Sequence, residues 1–138
     1  MTQVVVARKV AEVRNRIARV RELLPRTAEE FRTQRTATEA LLLNLYLAVQ
    51  ASCDLALHVV ADRGLGVPSD VRGAFECLVS GGIVDPALGQ RMAGAVGLSN
   101  RIAHQYGTLD LNLVFRVAHE DLGDLEAFAA IAADAYQV

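Results

Sequence analysis

From Thr27 to Asp62 no glycine or proline interrupts the chain. This stretch constrains the fold more than any other. Its first part, RTQRTATEA, is polar, and its second, LLLNLYLAVQASCDLALHVVA, is apolar nearly all round. A helix that is apolar on every side has to be surrounded by other elements. Thr27 is a helix-start residue, and Glu30 three positions on completes a capping-box pattern. One long helix is therefore expected from Thr27 to about Asp62. Asn44, Gln50, Asp54 and His58 interrupt the apolar run, which argues for the centre of a bundle rather than a membrane span. No membrane association is expected.

The rest of the sequence supplies the neighbours. Val6, Val10, Val13, Ile17, Val20 and Leu24 recur at steps of three and four, giving an amphipathic first helix with arginines outside and Pro25 at its end. RGLGVP closes the long helix. Ser69 or Asp70 caps a short helix, VRGAFECLVSG, stopped by Gly81 and Gly82. Asp85-Pro86 opens the next, with proline at the first helical position. That helix is rich in Gly89, Ala93, Gly94, Ala95 and Gly97, so a close-packed partner helix, and with it a dimer, is expected. Gly107 ends it, and Asp110 caps a last helix with a bend near Gly123. The fold class is all-α: an up-and-down bundle of four or five helices, one domain over residues 1–138.

Composition narrows the function classes. At 138 residues and 52% hydrophobic, the chain buries a real core and is not disordered. The net charge of −2 hides an asymmetry. Residues 8–35 carry nine basic against four acidic residues, and residues 110–138 carry one against six. A basic N-terminal arm suits either a polyanion such as RNA or an acidic protein partner. Cys53 and Cys77 lack CxxC spacing and read as free thiols of a reducing compartment. His58, His104 and His119 lack metal-ligand spacing, so neither a metal nor another cofactor is expected. Without a signal-peptide pattern at the N-terminus, a cytoplasmic location is expected.

The chemistry-bearing cluster is GLSNRIAHQYGTLD, residues 97–110. On a helix Asn100 and His104 share a face, with Arg101 three positions before the histidine. Tyr106 joins that side only if the helix unwinds near Gly107. Histidine moves protons near neutrality, arginine holds phosphates and asparagine orients either. Together they suit metal-free cleavage of an RNA phosphodiester by its own 2′-hydroxyl. The plain alternative is a helix end whose Arg101 and His104 complement the dipole. Gln50, Asp54 and His58 form a stripe at four-residue spacing. That stripe is either a hydrogen-bonded bundle edge or the wall of a site or subunit interface.

The order of the pieces carries a resemblance. A long helix ends in D-x-A-x-H (Asp54 to His58), followed by a G-x-G-x-P turn (Gly64 to Pro68), an A-F-x-x-L helix, an N-x-x-x-H-x-Y segment and an acidic turn. This is similar to the HepT-like branch of the HEPN superfamily and covers most of the chain. The resemblance implies a helical-bundle toxin of a type VII-like toxin–antitoxin system. It implies a homodimer whose His-bearing helices meet in a shared cleft with metal-independent endoribonuclease activity. It also implies a minimal nucleotidyltransferase antitoxin of the MntA type that adenylylates the motif tyrosine. Carried over residue by residue, the catalytic histidine is His104, the asparagine Asn100 and the modified tyrosine Tyr106. Asp54 and His58 are second-tier cleft positions.

One position departs from the pattern. The family's arginine lies five residues before the histidine, and here that residue is Ser99. A neutral hydroxyl does not replace a guanidinium as a phosphate clamp. Either Arg101 reaches the cleft from a displaced angle, or the chain is attenuated and kept for binding, or the change is an introduced one that disarms it. The alternative function is a non-catalytic HEPN module that binds a nucleotidyltransferase, nucleotide or RNA without cutting.

Overall fold

In the computed structural model, which describes residues 2–138, every regular element is helical. The long helix α3 (Arg35–Asp62) runs through the centre. Around it pack α1 (Thr2–Leu23), α4 (Val71–Ser80), α5 (Pro86–His104) and α7 (Leu122–Ala135). Two short helices, α2 (Ala28–Thr33) and α6 (Leu111–Glu120), pair with each other. The apolar stripe of α1 does what its spacing dictates: Val6, Val10, Val13, Ile17 and Val20 are all buried, mainly against α3. Phe75 of α4 and Phe128 of α7 meet edge-on at 5.3 Å, both fully buried. Each such ring stabilises the fold by about 1.5–3 kcal/mol through burial.

The helix starts follow their caps. The Thr27 hydroxyl accepts from the Glu30 amide at 3.1 Å, Asp70 from Gly73 at 2.7 Å and Asp85 from Leu88 at 2.8 Å. Asp110 accepts from the amides of Asn112 and Leu113. Two expected helices are each divided. The helix beginning after Thr27 breaks at Gln34 (φ −87°, ψ 72°), although no glycine or proline marks the place. Packing sets this break. It swings α2 so that buried Phe31 lies 5.7 Å from Phe115 of α6, and the Thr38 hydroxyl donates to the Phe31 carbonyl across the gap. The last helix is interrupted at Asp121, two residues before Gly123, and buried Leu122 starts α7.

By length and composition alone α3 could cross a bilayer. Most of that apolar window is buried inside the bundle, where α1, α4, α5 and α7 cover it. Of its polar residues, Asn44 is itself buried and donates to the Ala40 carbonyl, while its own oxygen accepts from Arg16. The charge asymmetry is partly internal. Arg16 pairs with Glu12 and Arg19 with Glu22 along α1, and Arg21 makes a two-bond contact to Glu126 of acidic α7 at 2.6 and 2.8 Å. The small residues of α5 also serve contacts within the chain. A Cβ at Gly89 would stand 2.5 Å from Val79 of α4, whereas at Gly94 it would meet nothing within 4 Å.

Candidate functional site

The polar cluster sits where α5 ends. Gln105 (φ −132°, ψ 34°) stops the helix after His104, and its amide bonds to the Arg101 carbonyl. A single 3-10 turn, Tyr106–Thr108, leads to the Asp110 cap of α6. The unwinding expected at Gly107 therefore begins two residues earlier. Arg101 and His104 both lie in the last turn of α5, where cations suit the exposed carbonyls.

Asn100, Arg101, His104 and Tyr106 are all exposed. Among the described residues, no hydrogen bond or ion pair engages any of their side chains. Asn100 and His104 share one face of α5, as their spacing requires. The other two diverge. Arg101 borders an apolar cavity of about 240 Å³ between α3, α5, α6 and α7, with the Arg91–Asp124 ion pair (2.9 Å) also on its lining. Tyr106 is turned by the break at Gln105 toward a separate cavity beside α2 and the start of α3, where Arg32 and Arg35 stand. The structure thus joins Asn100 with His104 and sends Arg101 and Tyr106 to its two sides.

Ser99 faces inward. It is 1% exposed, and its hydroxyl accepts from Gln50 Nε2 of α3 at 3.1 Å. On the helix it lies about 140° from His104. A longer side chain there has to run out between α3 and α5 and displace Gln50. Asp54 is exposed, and His58 is half-buried with its Nε2 lacking any partner among the described residues. The stripe they share with Gln50 is less polar than the four-residue pattern suggested. Leu43, 56% exposed, and Leu57, 39% exposed, lie on it, with half-buried Tyr46 and Leu47 between.

One residue escaped the sequence reading. Arg72 of α4 places Nη2 only 3.0 Å from where a Cβ on Gly97 would be. Gly97 stands one or two turns before Asn100, Arg101 and His104 on the same side of α5. A glycine inside a helix with no turn to make was the available signal. Cys53, by contrast, is buried in the core, and burial pushes its thiol up to about 12, so it holds its proton near neutrality. Among the described residues no group of three or more His, Cys, Asp and Glu side chains is placed to hold a metal ion.

Residues 9–131 match a family described as ribonuclease HepT-like. The chain belongs to that family. It is 27% identical over 124 residues to the mRNA nuclease HepT of Shewanella oneidensis, an alignment covering 90% of this chain and 92% of the relative. Its fold superposes on the tri-AMPylated HEPN toxin of Shewanella oneidensis in complex with MNT antitoxin (TM-score 0.87, 26% identity, 94% of this chain and 96% of that one). It also superposes on a mutant of the toxin–antitoxin MntA–HpeT (TM-score 0.86, 26% identity, 94% and 98%). The resemblance of the HepT-like pattern in the sequence is therefore matched along nearly the whole fold.

Proposed function

We propose that this HepT-like chain is the RNA-cutting toxin of a toxin–antitoxin pair and acts as a cytoplasmic homodimer without a metal. The observation that carries the reading is the exposed Asn100–His104 face at the end of α5, free of hydrogen bonds among the described residues, with exposed Tyr106 two residues beyond. The mRNA nuclease among its relatives supports the same reaction class.

RNA brings its own nucleophile. A His104 imidazole takes the proton of a 2′-hydroxyl, and the 2′-oxygen attacks the adjacent phosphorus. The bond to the 5′-oxygen breaks, and that oxygen takes a proton from a second imidazole, the partner's His104. The products are a 2′,3′-cyclic phosphate and a 5′-hydroxyl. Proton transfers of this kind contribute about 10²–10⁴-fold to rate. Asn100 orients the imidazole or the phosphate. Charge on the phosphorane is met by Arg101 from one side and Arg72 from the Gly97 side. The surface that brings two copies together is the half-open stripe of α3, where Leu43 and Leu57 are exposed beside α5.

The antitoxin is a minimal nucleotidyltransferase, as the solved relatives complexed with MNT or MntA support. It directs the Tyr106 phenol oxygen to the α-phosphorus of ATP. An O–P bond forms, pyrophosphate leaves, and the phenol proton passes to solvent or a base of the partner. Tyr106 is well placed to accept, being 49% exposed and free of hydrogen bonds among the described residues.

Ser99 favours a second reading. With a neutral hydroxyl turned inward to Gln50, position 99 supplies no cation to the His104 face. A chain of this kind could bind RNA or its antitoxin without cutting. Cleavage of RNA in EDTA by this protein and its Ser99→Arg variant separates the two. Slow cleavage that Ser99→Arg accelerates supports an attenuated ribonuclease. Silence from both on a broad RNA panel, with RNA still bound, contradicts cleavage and favours the binding module.

A further inference from the structure

The cavity that Tyr106 enters is separate from the one beside Arg101 and has its own chemistry. It measures about 240 Å³ and lies where the 3-10 turn faces the α2–α3 break. Arg32, Arg35, Glu39 and Tyr106 line it, with Leu42 and Leu109 as its apolar wall. Arg32 comes from the end of α2 and is held by Asn112 at 2.7 Å. Arg35 opens α3, is 88% exposed at its side chain and pairs with Glu39 at 2.8 Å. Two guanidinia against one carboxylate leave a net positive charge of one beside the exposed phenol. The break at Gln34 is what puts both arginines on this cavity.

We propose that this cavity is a nucleoside monophosphate subsite. Arg32 and Arg35 hold the phosphate, the fork of each guanidinium matching two phosphate oxygens. The leucine wall takes an apolar face of the base. Glu39 releases Arg35 when the phosphate arrives, since their largely exposed ion pair is worth little against a phosphate held by two guanidinia. The volume is just under the usual range of small-ligand pockets, about 300–1,000 Å³. It suits a sugar-phosphate with the base at the rim. Two sources bring this chemistry to the site: a nucleotide of the RNA beside the cleavage point, or the adenylate joined to Tyr106. The inference deepens the proposed regulation of the site and rests on that reading for its sources, but the subsite itself is tested without it.

The test is titration of the unmodified protein with AMP, followed by NMR at the Leu42 and Leu109 methyls and the Tyr106 ring. Saturable shifts at all three are expected. Adenosine, lacking the phosphate, should bind at least tenfold more weakly, and so should AMP to the Arg32→Ala/Arg35→Ala variant. The double variant should melt within a few degrees of the unmodified protein, since Arg32 and Arg35 are both exposed. This control separates phosphate contact from loss of local structure. AMP shifts that lie elsewhere, or that survive removal of both arginines, overturn the proposal. Because the readout needs no cleavage, its failure is distinct from failure of the ribonuclease reading. A raised KM for RNA in the double variant marks the RNA nucleotide as occupant. Faster removal of the adenylate from modified Tyr106 by a phosphodiesterase marks the tethered group.

Discussion

α3 has a tyrosine near each end, and the two differ in almost every respect. At the C-terminal end, Tyr136 is buried and donates to Asp62 at 2.7 Å. Arg63 stacks over its ring at 4.5 Å and donates to the Ala135 carbonyl. Thr2 and Gln3 of α1 close the same knot. At the N-terminal end, Tyr106 is half exposed and bonds to nothing among the described residues, as do His104, Asn100 and Arg101. Both ends are rich in the same residue types. A polar group whose partners lie within the chain ties the fold together. One left facing solvent is available for another molecule. Residue type alone does not separate a clasp from a site; the partner inventory does.

The largest effect should come from the exposed leucines along α3. Replacing Leu43 and Leu57 together by glutamate is expected to leave a folded monomer by sedimentation, with RNA cleavage down by more than about 100-fold, since in-line displacement sets the attacking 2′-oxygen and the leaving 5′-oxygen on opposite sides of phosphorus, where one imidazole does not serve both. A fully active monomer would break the idea that two copies make the cleft.

At the clasp the effect falls on stability. Tyr136→Phe is expected to cost about 1 kcal/mol in chemical denaturation, the net worth of its hydrogen bond, and to leave cleavage intact. Tyr106→Phe should do the reverse. Stability should change by less than about 0.5 kcal/mol, as for an exposed side chain without partners. Adenylylation by the nucleotidyltransferase, read by mass, should vanish. If Tyr106→Phe destabilised the fold as much as Tyr136→Phe, the two ends would not differ as described.

The smallest effects are in pH dependence. Burial and the bond to Asp62 raise the Tyr136 phenol above its usual value of 10. Its contribution is complete below pH 10 and lost as pH rises through the higher folded value, so stability should fall in alkali less steeply in Tyr136→Phe. On the acid side, the bond from Arg21 holds Glu126 below its usual 4.5. That contribution is present above pH 4.5 and lost as pH falls through the lower folded value. Both partners are about half exposed, so the effect is small.

Much of this was legible in the sequence because it is local. Caps at Thr27, Asp70, Asp85 and Asp110, the α1 stripe and the enclosure of the long helix follow from spacings of two to four residues. What was not legible depends on contacts between distant residues. The break at Gln34 arises from Phe31 meeting Phe115, far along the chain. That Ser99 points at Gln50, that Tyr106 turns toward Arg32 and Arg35, and that Arg72 overlies Gly97 are all cross-helix facts. Spacing paired Asn100 with His104 correctly, but it could not show Arg101 and Tyr106 turning to opposite sides.

The most direct measurement is RNA cleavage in EDTA by the protein and its His104→Ala variant, prepared identically and shown to melt at the same temperature. Cyclic-phosphate products are expected from the protein, with a loss of about 10²–10⁴-fold in the variant. Equal cleavage by both would contradict the proposed site, because the open end of α5 would then not be where the chemistry occurs.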